Sequence, residues 1–193
     1  ITTRLVGSEM CIRDRLYTIE TVIFDSSHKE IQKTKTSLTS LLYGDISQEI
    51  VVKNPVLWSP DQPVLYTAKT FLYEGTTLKD QYSTPFGIRS IEIIPEKGFF
   101  LNGEKTVFKG VCNHHDLGPL GAAVNDAAIR RQIRLLKDMG CNAIRTSHNM
   151  PAPELVKACD EMGMMLMVES FDEWNTPKCK NCLLYTSPSP RDA

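Results

Sequence analysis

The chain has 193 residues, a formal net charge of −1 and 41% hydrophobic residues, a composition that is ordinary for a globular protein. Its balanced charge, without a basic stripe, argues against a nucleic-acid partner. No apolar run is long enough to predict a membrane span. Composition leaves the oligomeric state open, and it leaves the location open between cytoplasm, periplasm and cell exterior.

The two ends of the chain predict a shared, non-biological origin. DNA that encodes Leu5–Arg15 can be read from its reverse complement, in a shifted frame, as Cys182–Arg191 in order, and the codon of Arg4 extends the match to Asp192. Such an inverted pair resembles a transposon-type adaptor from sequencing-library preparation. Residues 1–15 and 182–193 are therefore expected to be adaptor-derived, and the remainder is expected to be an internal fragment.

The first half of the remaining sequence, residues 16–94, has the pattern of an antiparallel β-sandwich. Apolar and polar residues alternate in short runs that are separated by turn signals such as Ser59-Pro60-Asp61 and Glu74-Gly75. The predicted strands are Leu16–Phe24, Glu49–Val52, Leu65–Tyr73 and Ile88–Ile94. Trp58 and Tyr66 are expected to pack in the core of this domain.

The second half, residues 95–181, changes from strand periodicity to alternating strands and helices. Asn102-Gly103 predicts the turn of a hairpin over Phe99–Lys105, and a strand is predicted at Phe108–Cys112. A helix should begin after the N-cap Asn125 and end at Gly140. Its predicted apolar face is Ile129, Ile133, Leu136 and Met139, and its predicted solvated face is Arg130, Arg131, Arg134 and Lys137.

A second unit of strand and helix follows the first. Asn142–Thr146 reads as a strand, and a helix should run from Pro153 to a stop at Gly163. The residues expected to face inward on this helix are Leu155, Val156, Cys159 and Met162. Met164–Glu169 is nearly all apolar, as expected for a strand that is buried on both faces. The order βαβαβ predicts parallel strands.

The cysteines do not predict a metal or redox site. Cys179 and Cys182 have a CxxC spacing, which alone would suggest zinc or redox chemistry, but Cys182 lies in the adaptor-like end. Cys112, Cys141 and Cys159 stand among apolar neighbours, so they are predicted to be small core residues. No disulfide framework is expected.

Polar residues are concentrated between Gly110 and Pro151, at the ends of two predicted strands. This stretch contains His114, Asp116, Arg145, His148 and Asn149. A parallel β/α barrel presents polar side chains to a substrate from the carboxyl ends of its strands. The stretch is therefore the first candidate for a binding site.

Several motifs in this half resemble glycoside hydrolase family 2, which includes β-galactosidases and β-glucuronidases. They are NGEKTVFKGVCNHHD, NAIRTSHNMPAPELVKACDEMG and VESFDEW, and the upstream segment from Trp58 to Arg89 is also similar to the family. The resemblance implies an immunoglobulin-like β-sandwich followed by the first βαβαβ portion of a (β/α)₈ TIM barrel. The Cys-Asn-His-His variant is most similar to the β-galactosidase-like branch.

Enzymes of this family hydrolyse glycosidic bonds with retention, using two Glu residues about 5–5.5 Å apart. The resemblance places the acid in an Asn-Glu pair after the fourth barrel strand and the nucleophile after the seventh. The sequence contains no Asn-Glu pair. The polypeptide as given is therefore expected to be inactive, although its parent protein is expected to be a glycosidase.

The resemblance also implies a set of residues that bind a carbohydrate substrate. They are His114, Asp116, Arg145, His148, Asn149, Glu173 and Trp174. Glu173 matches a position that binds magnesium in some β-galactosidases, but the His expected after it is missing, so neither a metal nor another cofactor is predicted. Asp172 and Glu173 are adjacent and point to different sides of an extended chain, which argues against a catalytic pair.

Alternatives remain for individual residues and for the whole protein. His114 and His115 could be ordinary loop residues, and Arg145 could pair with Glu169 inside the barrel, alone or in addition to a pocket role. A non-catalytic carbohydrate-binding protein on the same scaffold is the alternative to the enzyme. The sugar and the linkage stay open.

Overall fold

The computed structural model describes residues 2–3, 16–38 and 46–170, and of residues 2–3 it describes the backbone only. The chain forms two compact units. The first contains the residues up to Trp58 together with Val64–Ser90, and the second contains Ser59–Pro63 and the residues from Ile91 onward. This division falls slightly before the boundary at Ile94 that the sequence pattern predicts, because Ile91–Ile94 pairs with the following strand.

The first unit is antiparallel. Its described strands are β1 (Thr2–Thr3), β2 (Tyr17–Phe24), β3 (Glu30–Leu38), β4 (Ile46–Ser47), β5 (Tyr66–Glu74) and β6 (Thr77–Phe86). Four of them form a sheet in the order β3-β2-β5-β6, and β1 pairs with β4. The central strand β2 holds Ile19 and Ile23, which are 2% and 1% exposed, so the alternation in its sequence corresponds to burial.

The strand predictions for this unit need correction. Glu49–Val52 does not form a strand: Ile50 and Val52 pack against the cluster of Ile23, Tyr66 and Ala68 without joining a ladder. The strands β3 and β6 were missed. Both lie at edges of the sheet and expose most of their polar residues, so they lack the apolar alternation by which a strand is recognised.

The prediction that Trp58 and Tyr66 belong to the core is confirmed. They are 1% and 5% exposed. The hydroxyl of Tyr66 accepts a hydrogen bond from the amide of Val56 at 2.9 Å, which satisfies the polar end of a buried ring. A side chain at Gly87 would come within 2.9 Å of the Cβ of Trp58 and 3.0 Å of its ring, so the glycine permits this close approach.

The second unit begins with an antiparallel sheet and continues with parallel strands and helices. Its described elements are β7 (Ile91–Ile94), β8 (Gly98–Leu101), β9 (Glu104–Lys105), β10 (Gly110–His114), a 3₁₀ turn at Gly118–Leu120, α1 (Asp126–Asp138), β11 (Ala143–Ser147), α2 (Pro153–Met162) and β12 (Met165–Val168). The strands β10, β11 and β12 pair in parallel in this order, as the βαβαβ pattern predicts.

The core of the second unit lies between this sheet and the two helices. Ile133 of α1, Ile144 of β11 and Cys159 of α2 are no more than 1% exposed and belong to one cluster. Asn125 caps α1 by accepting a hydrogen bond from Ala128, as predicted. Neither helix in the described part of the chain combines the length and the apolar composition that a membrane crossing requires.

Several burial predictions for this unit are wrong. Met139 and Val156 are 74% and 36% exposed. Met139 follows the last turn of α1 as its C-cap, where the helical face no longer continues. Lys137 does not lie on a solvated face, because its ammonium group donates to the carbonyls of Pro60, Met162 and Gly163. Finally, β12 exposes Met167 and Val168.

The C-terminal glycines of the two helices provide a matched test of packing. Gly140 and Gly163 have φ of +87° and +74°, but an added Cβ would meet nothing at Gly140 and would collide with the carbonyl of Pro60 at Gly163. The left-handed backbone alone costs about 1–2 kcal/mol in Gly140→Ala. We expect Gly163→Ala to lower the free energy of unfolding by about 2 kcal/mol more than Gly140→Ala does, by analogy with overpacked sites. Thermal unfolding at low protein concentration measures the difference. Equal costs would contradict the tight contact with Pro60.

Candidate functional site

The candidate site lies at the carboxyl ends of the parallel strands. His114 pairs in register with Ser147, and Cys112 pairs with Arg145. Because side chains two residues apart point to the same side of a strand, Cys112 and His114 share a face with Arg145 and Ser147. The opposite face carries Ile144, which is buried against the helices. The site therefore occupies the face of the sheet that the helices do not cover.

The carboxylate of Glu169 connects two of the predicted residues. One of its oxygens pairs with a terminal guanidinium nitrogen of Arg145, and the other lies 3.1 Å from Nδ1 of His148. The Glu169 side chain is 19% exposed, compared with 42% for Arg145 and 45% for His148. The predicted pairing of Arg145 with Glu169 is confirmed, and the same carboxylate also holds His148.

His114 is close to this group. Its ring centroid is 5.2 Å from that of His148, and the two rings are nearly perpendicular at 81°. Such an edge-to-face contact limits the orientations that both rings can adopt. The structure thus brings His114, at the end of β10, together with Arg145 of β11 and His148, which directly follows β11.

Cys112 also belongs to this group, which corrects the prediction that it is a core residue. Its side chain is exposed, and its sulfur accepts a hydrogen bond of 3.3 Å from a guanidinium nitrogen of Arg145. The hydrogen bond from the Arg145 guanidinium, together with its positive charge, lowers the pKa of the Cys112 thiol. Cys159 is buried as predicted, and its burial raises the pKa of its thiol to about 12.

His115 and Asp116 belong to the loop that follows β10. Nε2 of His115 lies 2.9 Å from the carbonyl oxygen of Ala122, and a carboxylate oxygen of Asp116 accepts from the amide of Gly118 at 2.6 Å. Both side chains therefore hold the loop in shape. A substrate contact of Asp116 stays a prediction.

Asn149 lies on the neighbouring loop after β11. It is exposed and lines a small pocket of about 30 Å³ between this loop, the loop after β10 and the two helices. On the wall of that pocket the side-chain amides of Asn113 and Gln132 bond to each other at 3.0 and 3.3 Å. Such a pocket has room for about one or two water molecules, so a sugar ring would have to bind on the open face beside it.

Glu173 and Trp174, the last two predicted site residues, lie outside the described residues, as do Cys179 and Cys182. Within residues 16–38 and 46–170, no three His, Cys, Asp or Glu side chains come together as a metal site would need. The candidate site of the described residues therefore includes neither Glu173, which matches a magnesium position in the family, nor the CxxC pair.

A larger cavity of about 270 Å³ lies in the first unit, but its chemistry is that of a core. It is lined mainly by aliphatic and aromatic residues such as Ile23, Ile50 and Phe86. Its polar lining residues bond within the protein: Thr21 donates to the amide oxygen of Gln48 at 2.6 Å, and the Gln48 amide nitrogen donates to the carbonyl of Ile19 and the hydroxyl of Thr36. A binding site needs polar groups that are directed at a ligand, so we place the candidate site at the ends of β10–β12.

Comparison with known families assigns both units. The family described as Glycosyl hydrolases family 2 matches residues 12–89, and the family described as Glycosyl hydrolases family 2, TIM barrel domain, matches residues 92–182. The chain belongs to glycosyl hydrolase family 2. Its fold is the immunoglobulin-like sandwich of this family followed by the start of the TIM barrel domain, as the sequence motifs predicted.

Individual family 2 proteins are similar over most of the chain. Beta-galactosidase BoGH2A of Bacteroides ovatus is 47% identical over 80% of the chain, and a beta-glucuronidase of Streptococcus agalactiae is 34% identical over 76%. The crystal structure of a family 2 member from Bacteroides cellulosilyticus matches 90% of the chain with a TM-score of 0.85 and 34% identity. The chain spans 18%, 22% and 23% of these three proteins, respectively.

The contact between Cys112 and Arg145 predicts a thiol whose reactivity depends on the guanidinium. We expect Cys112 to react with iodoacetamide at a lower pH than an unperturbed thiol, because the donated hydrogen bond stabilises the thiolate. Arg145→Gln should shift the midpoint of alkylation upward. The rate at each pH is measured by mass spectrometry of the peptide that contains Cys112.

Two controls belong to this measurement. Arg130→Gln removes an arginine that pairs with Asp126 and Glu161 on the helices, so it should leave the midpoint unchanged. Cys159 should stay unmodified near neutral pH because it is buried. An identical midpoint in the wild type and in Arg145→Gln would show that the guanidinium does not act on the thiol.

Proposed function

We propose that the chain is part of a retaining glycosidase that hydrolyses β-galactosides. The observation that carries the proposal is the convergence of His114, Arg145 and His148 at the carboxyl ends of neighbouring strands in a family 2 barrel domain. In TIM barrels this end of the strands is where substrates bind and react.

The side chains that converge there suit a carbohydrate. A sugar presents hydroxyl groups that both donate and accept hydrogen bonds, and imidazole nitrogens and guanidinium N–H groups can meet both needs. His114 and His148 lie edge to face, so they can contact neighbouring hydroxyls of one ring. We propose that the substrate-binding set is His114, Asp116, Arg145, His148, Asn149, Glu173 and Trp174.

The hydrolysis itself requires two carboxylates about 5–5.5 Å apart, one to protonate the leaving oxygen and one to attack the anomeric carbon. We assign neither role to a residue of this chain, in which no Asn-Glu pair occurs. Arg145, with several N–H donors in a planar fork, is suited to orient the nucleophilic carboxylate of the complete protein in addition to Glu169. The chain thus supplies the binding part of the site.

The preference for galactosides rests on the resemblance of the Cys-Asn-His-His variant to the β-galactosidase-like branch. Sequence identity does not decide it, because a β-galactosidase of Bacteroides ovatus and a putative β-glucuronidase of Formosa agariphila share 47% and 46% identity with the chain. A glucuronide carries a carboxylate that a galactoside lacks, so the two substrates separate these relatives in one assay.

The test uses the protein encoded by the complete natural reading frame and, beside it, the chain of 193 residues. We expect the complete protein to hydrolyse an aryl β-galactoside and to turn over an aryl β-glucuronide at least about tenfold more slowly, a ratio that corresponds to about 1.4 kcal/mol of discrimination. The galactose released first should be the β-anomer in proton NMR, because retention requires two displacements. The chain alone should show no turnover.

Other outcomes would change the proposal in defined ways. Faster turnover of the glucuronide would show that the substrate is a glucuronide and not a galactoside. Release of the α-anomer would exclude a retaining mechanism. Binding of galactose without hydrolysis by the complete protein would instead support a carbohydrate-binding protein on the same scaffold. Hydrolysis by the chain alone would refute the assignment of both carboxylates to the rest of the protein.

A further inference from the structure

We propose that Glu169 is a positioning residue that keeps the proton of the neutral His148 ring on Nδ1 and thereby presents Nε2 to the sugar as a hydrogen-bond acceptor. The part that concerns the sugar rests on the proposed function. The part that concerns the ring rests on the geometry around Glu169 alone.

The charge of the partners fixes the direction of the hydrogen bond. Arg145 can only donate, and it pairs with one oxygen of Glu169, which therefore carries the carboxylate charge. An ionised carboxylate can only accept. The contact of 3.1 Å between its second oxygen and Nδ1 of His148 therefore requires a proton on Nδ1. In the neutral ring, Nε2 is then left without a proton.

The backbone of Glu169 and the guanidinium that pairs with its carboxylate are themselves held in place, so the carboxylate can act as a reference for the ring. The amide of Glu169 donates to the hydroxyl of Thr146 at 3.1 Å, and Thr146 is 4% exposed. Arg145, on the other side, is held by its second contact, the hydrogen bond to Cys112 at 3.3 Å. Cys112, Arg145, Glu169 and His148 thus form a chain of contacts that runs across the three parallel strands.

The consequence is a selective hydrogen bond at Nε2. The two nitrogens lie on opposite sides of the imidazole ring, so Nε2 points away from Glu169 while the contact with His114 steadies the ring. A hydroxyl that meets an unprotonated Nε2 must donate its hydrogen. A fluorine in place of that hydroxyl can only accept, so it would meet a nitrogen that offers no hydrogen.

The first experiment measures the proton position in the chain of 193 residues, labelled with nitrogen-15 in histidine. In the wild type, the nitrogen shifts of the neutral His148 ring should show Nδ1 protonated and Nε2 unprotonated. His148→Asn assigns the signal among the 4 histidines. A wild-type ring protonated on Nε2 would overturn the proposal without any variant at Glu169.

The variant Glu169→Gln should invert the tautomer. Arg145, a pure donor, will take the amide oxygen, so the amide NH₂ faces Nδ1 of His148 and donates to it. The proton must then reside on Nε2. A residue that merely holds strands together would not change the proton position in this way, and an unchanged tautomer in a folded variant would refute the role of Glu169.

Glu161→Gln is the matched control. Glu161 also pairs with an arginine, Arg130, but on the two helices. This variant makes the same change of charge and shape away from the rings. It should leave the His148 signals as they are in the wild type, and a change of tautomer there would show that the effect is not specific to Glu169.

The second experiment tests the sugar contact in the complete protein with a series of aryl β-galactosides that each carry fluorine at one hydroxyl position. At the position that meets Nε2, the wild type should lose about 10- to 100-fold in kcat/KM, the range expected for a hydrogen-bond partner left unmatched. Glu169→Gln, whose Nε2 carries a proton, should show a smaller loss at that position only.

The two experiments fail independently. If the tautomer is as expected but the complete protein does not act on galactosides, the proposed function is wrong and the role of Glu169 in holding the ring stands. If the protein hydrolyses galactosides but Glu169→Gln keeps the fluorine pattern of the wild type, the proposed function stands and the acceptor role of Nε2 is refuted.

Discussion

The burial of Ile144 is the constraint on which the barrel part of this chain depends. Ile144 pairs with Val111 on one side and Leu166 on the other, and it packs against both helices at 1% exposure. Full burial of such a side chain contributes about 1.5–3 kcal/mol. A register slip by one residue would turn it to the other face. Because Arg145 follows Ile144 directly, the same burial directs the guanidinium to the open face where the site lies.

Sequence patterns predicted the elements whose boundaries are determined by local chemistry. Asn125 caps α1, and Gly140 and Gly163 follow the two helices with positive φ, as their positions in the sequence indicated. The patterns failed where tertiary context decides. The edge strands β3 and β6 are polar and exposed, and Ile50 and Val52 alternate like a strand although they only cover a core cluster. Hydrophobic periodicity reports burial, and it detects a strand only if the strand is partly buried.

For the site, sequence placed His114, Arg145 and His148 at strand ends, and the structure brings these three together. Cys112 was assigned to the core from its apolar neighbours. The strand period could have corrected this assignment, because Cys112 is two residues from His114 and must share its face. The second contact of Glu169 could not be found in this way, since it depends on how the chain turns after β11 to bring His148 back towards β12.

The double contact of Glu169 bears on both interpretations of Arg145, as a structural partner and as a member of the proposed site. Because Arg145 and His148 are 42% and 45% exposed, water screens both contacts, and ion pairs at such exposed positions add little to stability compared with a buried core side chain. What this carboxylate supplies is direction: it accepts from two donors, and so it determines which atoms of both side chains face away from it.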